Sequence, residues 1–149
     1  MLKDNQSPLR LLGRATILAL QGRVQFPRDD FGQIVRGDDE DFEIFRKVIL
    51  KTPRDKPNSP GALFIVQFRF ARFSITMNRL LSLIPIPFIV AQPGFRSKTW
   101  AIGQRTGTFR GIYEWSSVEE AERYWTSFPM KLMKRRSVPQ SLHHEIKKV

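Results

Sequence analysis

An α+β domain, with an antiparallel sheet covered by helices on one face, is the fold class this sequence predicts, and three observations predict it. Residues 62–71 alternate in two rows, Phe64, Val66, Phe68 and Phe70 against Leu63, Ile65, Gln67 and Arg69, which is the two-residue period of a strand. Two more extended segments, 95–102 and 108–115, flank the loop Gly103-Gln104-Arg105-Thr106-Gly107, whose length and terminal glycines suit an antiparallel hairpin. Helix signals follow each strand unit: Ser74 can cap a helix to about Ile84, and Ser117-Val118-Glu119-Glu120 reads as a capping box for a helix to about Ser127. From residue 62 the order is therefore strand, helix, strand, strand, helix, strand, the order of a ferredoxin-like plait.

The other elements follow in chain order. Ser7-Pro8 is a helix start, with Pro8 at the first helical position where its missing N–H costs nothing. Leu9, Leu12, Leu18 and Ala19, with Ala15 and Ile17 nearby, give that helix a broad apolar face through about Gln21, and such a helix must dock on something. Residues 22–40 are polar and turn-rich and read as a linker or arm, with 38–41 a solvated turn. The domain division is thus an N-terminal helix and arm over 1–40 and a single ferredoxin-like domain over 41–149. Over 42–50, Phe42, Ile44, Val48 and Leu50 share one parity and Phe45 and Ile49 the other, as in a strand partly covered on both faces. Three prolines and a glycine make 52–61 a loop. In the helix after Ser74, Met77, Leu80, Leu81 and Ile84 fall on one side, and Pro85-Ile86-Pro87 ends or kinks it. Pro129 starts a second short helix whose last turn holds Lys134, Arg135 and Arg136, and a strand over 141–146 closes the sheet.

Composition narrows the chemistry. No cysteine means no disulfide, thiol nucleophile or thiolate metal site, and the two histidines, His143 and His144, are neighbours that point to opposite faces of an extended chain. No metal site and no cofactor site is expected. The net charge is +11, and because residues 1–40 hold six charges of each sign, the whole excess lies in 41–149. Its sharpest cluster, Lys131, Lys134, Arg135 and Arg136, has no interleaved aromatics, which disfavours nucleic acid and reads as a solvated basic face. The longest uncharged run, 80–95, is short of the roughly 18 residues of a membrane span and holds three prolines. Arg14 interrupts the N-terminal apolar residues, so no signal-peptide pattern is read and a cytoplasmic location is the expectation.

One set of residues carries a resemblance. Pro93-Gly94-Phe95, then Lys98 and Trp100, Gly107, Gly111-Ile112-Tyr113, and Ala121 and Tyr124 on the helix resemble the pattern of the YdhR-like monooxygenase family, over about residues 62–146. That family lies in the dimeric α+β barrel superfamily, with the cofactor-independent antibiotic-biosynthesis and the haem-degrading monooxygenases. The resemblance implies a homodimer whose sheets pack face to face, and the apolar rows on both parities of 62–71 fit that demand. It implies a small apolar or aromatic ligand, possible as an anion, held between sheet and helices, with Trp115 lining the pocket and no cofactor. The activity implied is attack of dioxygen on a readily deprotonated substrate such as a polycyclic phenol.

Tyr113 shares a strand face with Trp115, and Trp100 shares one with Lys98, so the candidate ligand-binding residues are Trp115, Tyr113, Trp100, Phe68, Lys98 and Arg69. Arg69, Arg72 and Lys98 could hold a substrate anion and Tyr113 could donate to it, although Arg72 reads as a strand-to-helix turn residue. Gln67 is a weaker polar candidate, and Glu114 and Glu145 read as members of surface pairs. The haem-degrading relatives place an axial histidine on the capped helix where this chain has Trp125, which excludes haem ligation through that helix. A competing reading is a non-enzymatic module that binds a partner protein or an anionic membrane surface through the apolar N-terminal helix and the basic face.

Overall fold

In the computed structural model, residues 7–52 and 59–149 are described, so most of the predicted 52–61 loop lies outside the described residues. Helix α1 (Pro8–Leu20) starts at its proline, and Leu11, Ala15 and Leu18 are its buried residues. Of the predicted face, Leu18 and the nearby Ala15 are buried, whereas Leu9 and Leu12 are exposed, Leu9 by 80%, and Leu11 takes their place. A helix apolar almost all round does not say which stripe docks; contact with α3 (Ile86–Val90) selects Leu11, Ala15 and Leu18.

The polar stretch after α1 forms two short strands, β1 (Val24–Gln25) and β2 (Ile34–Arg36), which pair antiparallel with opposite ends of β3 (Asp41–Leu50). The predicted arm therefore runs along the outer edge of the sheet, covering an edge that would otherwise present unpaired N–H and C=O groups.

β4 (Ala62–Phe68), β5 (Phe95–Gly103), β6 (Phe109–Trp115) and β7 (His143–Lys148) complete a sheet of order β1-β3-β5-β6-β4-β7 with β2 also on β3. Its pairings are antiparallel, and the stretch β5-β6-β4-β7 is the ferredoxin-like plait read from the sequence, extended by β3. α2 (Ile75–Leu81) and α3 follow β4, and α4 (Val118–Trp125) and α5 (Phe128–Arg136) follow β6. Ala62, Phe64, Val66 and Phe68 of β4 and Phe109, Tyr113 and Trp115 of β6 are buried in the core cluster that α4 and α5 join through Ala121, Tyr124 and Met130.

Two local devices set the frame. Gly94 has φ +79, and a Cβ there would fall 1.6 Å from Glu120 Oε2, so glycine is required both for the turn and for the approach of α4. Ser117 Oγ accepts from the Glu120 N–H at 3.3 Å, forming half of the predicted capping box; Glu120 Oε2 is instead buried against Gly94 without a hydrogen-bond partner among the described residues. Glu40, read as part of a solvated turn, accepts from the backbone N–H groups of Arg105 and Thr106, both at 2.9 Å, and clamps the β5–β6 hairpin loop.

The helix after Ser74 runs against expectation. Its side bearing Met77, Leu80 and Ile84 faces outward, and Asn78 is the buried residue of α2. The Asn78 amide donates to the Arg72 carbonyl at 2.9 Å and its oxygen accepts from Arg136 Nη2 at 2.9 Å. Satisfying the backbone of the β4–α2 turn pulls a polar side chain inward and leaves the apolar side of α2 outside.

Candidate functional site

The helix-facing side of the sheet is filled at one end and hollow at the other. At the hollow end a cavity of about 300 Å³ lies between β4, β5 and β6 and the α2–α3 junction and α5. Strand parity brings Val66 and Phe68 from β4 and Phe109 and Tyr113 from β6 to this space. In β5 the register shifts between Phe95 and Ser97, so that Lys98 pairs with Tyr113 and Trp100 with Gly111. Without that bulge Lys98 would lie on the opposite face from Phe95; with it, Phe95, Lys98 and Trp100 all point toward the helices.

Gly111 forms the floor of the cavity. A Cβ there would meet the Tyr113 ring at 3.0 Å and Lys98 Cε and Val66 Cγ1 at 3.3 Å, so a side chain larger than hydrogen fills the space. Over the sheet, Leu81, Ile84, Pro85 and Met133 close the opposite wall, and Ile84, 61% exposed, marks its rim.

The polar groups in this apolar space are few. Lys98 is 8% exposed, with Nζ 4.4 Å from the Trp100 ring centroid and 4.5 Å from that of Tyr113. No carboxylate lines the cavity, and no hydrogen bond or ion pair reaches Lys98 Nζ among the described residues. Burial, and then the nearby Arg46 guanidinium, hold the Lys98 amine well below the usual lysine range. The magnitudes agree: two aromatic faces stabilise an ammonium by about 1–4 kcal/mol together, against a desolvation penalty of several kcal/mol. Arg46 itself donates to Ser82 Oγ, at the edge of the cavity, and to the Arg79 carbonyl at 3.0 Å.

Two phenols face the same space. Tyr124 Oη donates to Tyr113 Oη at 3.0 Å, which leaves the Tyr113 proton for a third group. Burial pushes the Tyr113 phenol up, and burial with the Tyr113 neighbour pushes Tyr124 well up, so both stay protonated donors at neutral pH.

Of the predicted site residues, Phe68, Lys98, Trp100 and Tyr113 meet on the cavity wall. Trp115 does not line it. Its indole is fully buried at the filled end, 4.8 Å from the Tyr124 ring and 5.7 Å from that of Phe95, with Tyr113 between it and the hollow. Arg69 is exposed on the other side of the sheet, where with Gln67, Arg110 and His143 it borders a polar concavity of about 780 Å³. The two-residue period that points Phe68 toward the helices puts Arg69 there with Ile65 and Gln67, and Arg72 is an exposed turn residue. Glu145 pairs with Lys147 at 3.7 Å as a surface pair, whereas Glu114 accepts from Ser97 Oγ at 3.0 Å. His144 stacks on Trp125 at 3.6 Å, and Lys134 Nζ covers that indole at 3.8 Å.

Sequence reasoning missed Phe109, Gly111 and Tyr124 as cavity residues. Gly111 and Tyr124 were visible in the motif, yet only the facing helices show that one is a floor and the other a wall. In the predicted basic cluster, Lys134 donates to the Trp125 carbonyl at 3.0 Å and Arg136 binds Asn78, so two of its four cations are engaged within the fold. Among the described residues no group of three or more acidic, histidine or cysteine side chains could hold a metal, and no helix is long and apolar enough to cross a membrane.

No family model matches the chain and no curated protein matches it. Solved structures do. A haem-degrading enzyme from Listeria monocytogenes superposes with a TM-score of 0.57 at 14% identity, over 76% of this chain and 73% of its own. A ferredoxin-fold protein related to antibiotic-biosynthesis monooxygenases, from Listeria monocytogenes 4b F2365, gives 0.52 at 11% identity over 75% and 66%. An anthrone oxidase-like protein gives 0.51 at 13% identity over 73% of this chain and 56% of that one. The chain shares the ferredoxin-like fold of monooxygenase-like proteins, at identities that speak to the fold.

Proposed function

We propose that the cavity beside Trp100 binds a small aromatic molecule carrying one acidic hydroxyl, and that the protein is a cofactor-independent, monooxygenase-like oxidoreductase of the YdhR-like kind. The observation that carries this reading is a hollow walled largely by aromatics, in which an amine with no carboxylate partner and two phenols stand among the few polar lining groups, with Ser82, Arg110 and Arg136. In such a space the Lys98 amine takes the proton of a bound phenol, giving an ammonium–phenolate pair that needs no water to stabilise it. The Tyr113 hydroxyl donates to the phenolate oxygen. An electron-rich carbanion-like ring results, and dioxygen could attack it; for an anthrone the balance is substrate plus O₂ giving the quinone plus water.

Haem does not suit this cavity through a histidine. No histidine stands on its wall, and His144 is committed to its stack on Trp125. The similarity to a haem-degrading enzyme is therefore consistent with a small ligand, without the histidine ligation of iron.

The test is binding of 1-naphthol followed by quenching of tryptophan fluorescence, with dioxygen uptake measured on anthrone. Gly111→Leu fills the floor and is expected to weaken 1-naphthol by at least about tenfold, a loss of about 1.4 kcal/mol. Equal affinity in a folded Gly111→Leu protein removes the cavity as the site; binding without dioxygen uptake removes the oxygenase step and leaves the site.

The homodimer belongs to the same proposal. Leu63, Ile65 and Ile112 stand half-buried on the sheet face away from the helices, beside a small cluster of Phe42, Ile44 and Ala101. A second copy packed on that face would bury them. Light scattering should then give twice the chain mass, and a monomer at micromolar concentration would withdraw the dimer. The non-enzymatic reading draws on a different observation, the exposed Leu9, Ile17 and Leu20 of α1. The hollow interior favours the ligand site.

A further inference from the structure

We propose that the cavity accepts aromatic or aliphatic aldehydes and ketones and holds them covalently, as an imine at Lys98 Nζ. This rests on the reading that the cavity takes an apolar ligand, and adds a carbonyl class and a covalent bond to it.

Three features place a nucleophilic amine there. The Lys98 side chain reaches the cavity between the Trp100 and Tyr113 rings, so Nζ approaches a ligand in the hollow from its wall. Around it the charged and titratable groups are Arg46 from β3, Arg136 from α5, Arg110 and Tyr113 from β6 and Tyr124 from α4, with Arg79 of α2 behind Arg46; none is a carboxylate. Cations and neutral phenols favour the free base, as does exclusion of water. Third, the Tyr113 hydroxyl, which accepts from Tyr124, keeps a proton to give to an oxygen beside Nζ.

The reaction balances without an oxidant or reductant. The Nζ lone pair attacks the carbonyl carbon, and the C=O π pair moves to oxygen, which is protonated from Tyr113. A proton shifts from nitrogen to the phenolate, restoring Tyr113. The carbinolamine nitrogen then expels the hydroxyl, which takes the Tyr113 proton and leaves as water, and the iminium returns its N–H proton to the Tyr113 phenolate, giving the neutral imine and restoring the phenol. One carbonyl compound and one amine give one imine and one water. The Gly111 floor and the apolar lining hold the ligand's body against the wall from which the amine projects.

The experiment uses the full chain with equimolar cinnamaldehyde and sodium cyanoborohydride at pH 6.5, read by intact mass and peptide mapping. At that pH an ordinary lysine is only about 0.01% free amine, so surface lysines are silent, while the chain's α-amine, titrating near 8, serves as the reference. The expected result is a reduced adduct at Lys98, formed at least as fast as the one on the α-amine, with no other lysine labelled, and absent from Lys98→Met. Labelling of the α-amine or scattered lysines without Lys98 overturns the proposal. Quenching by 1-naphthol, measured on the same protein, separates the two readings: naphthol bound with no adduct at Lys98 overturns the imine alone, and neither result overturns both. Since the decisive label is read on the unmodified sequence, the outcome does not depend on the folding of Lys98→Met.

Discussion

Trp100 and Trp115 stand on the same side of one sheet, yet Trp115 is sealed in the core and Trp100 walls a cavity. Both arrive there by strand parity. What differs is the layer above them. Over Trp115, α4 supplies Tyr124 and the first residue of β5 supplies the Phe95 ring, and these rings close at 4.8 and 5.7 Å. Over Trp100 the helices are short, α2 turns its apolar side outward, and the strand neighbour across the sheet is Gly111. An inward-facing aromatic becomes core or wall according to what the covering layer places against it.

Three changes would break or sharpen that contrast. The largest effect is expected of Trp115→Ala, which should cost about 3–5 kcal/mol in urea denaturation, as large-to-small core changes do, while 1-naphthol affinity in the folded protein is retained. A loss under about 1 kcal/mol would mean that the filled end is not filled. The indole Nε1 has no hydrogen-bond partner among the described residues, so part of the measured cost is offset by removing an unsatisfied donor.

Lys98→Met should act in the opposite direction, raising stability at neutral pH by about 1–4 kcal/mol, in the range seen when buried charge is replaced by apolar volume. The sign follows from linkage. Burial lowers the Lys98 amine in the folded chain, so between the depressed folded value and about 10.4 the unfolded state binds more protons and wild-type stability rises with pH. In Lys98→Met that slope should disappear. Parallel stability-against-pH curves for the two proteins would place the amine in water.

Glu40→Gln is expected to have the smallest effect, about 1 kcal/mol, because it weakens hydrogen bonds at a partly exposed hairpin clamp. Burial raises this carboxyl and the hydrogen bonds from Thr106 and Arg105, with the Arg105 charge, lower it further, for a net downward shift. Its contribution is therefore present above about pH 4.3, the unfolded value, and is lost as pH falls through the lower folded value, so the melting-temperature difference from wild type should close in acid.

Much of the fold was readable in the residues. The alternation of Phe64, Val66 and Phe68, the hairpin glycines and the Ser117 cap each act over a few residues, and each appears where it was read. Reading β4 to Ala71 overran, since its ladder with β6 ends at Phe68 and only Phe70 bridges onward, to Ser137. The site was legible by half. Parity and the placing of Lys98 beside Trp100 follow from spacing, so four of the six candidates reach one wall. Trp115 does not, because its surroundings depend on Tyr124 of α4, and Arg69 does not, because the same alternation that brings Phe68 inward puts its neighbour on the opposite face.

What the sequence by itself determined is the set of elements, their order and the parity of the strands, because periodicity, caps and turn glycines are properties of neighbouring residues. Only the tertiary structure decided that α1 docks through Leu11, Ala15 and Leu18, that Asn78 turns inward, and that the space over Gly111 stays open while the space over Trp115 closes. Those outcomes are set by volumes and hydrogen-bond partners contributed by segments distant in the chain, and no local pattern carries that information.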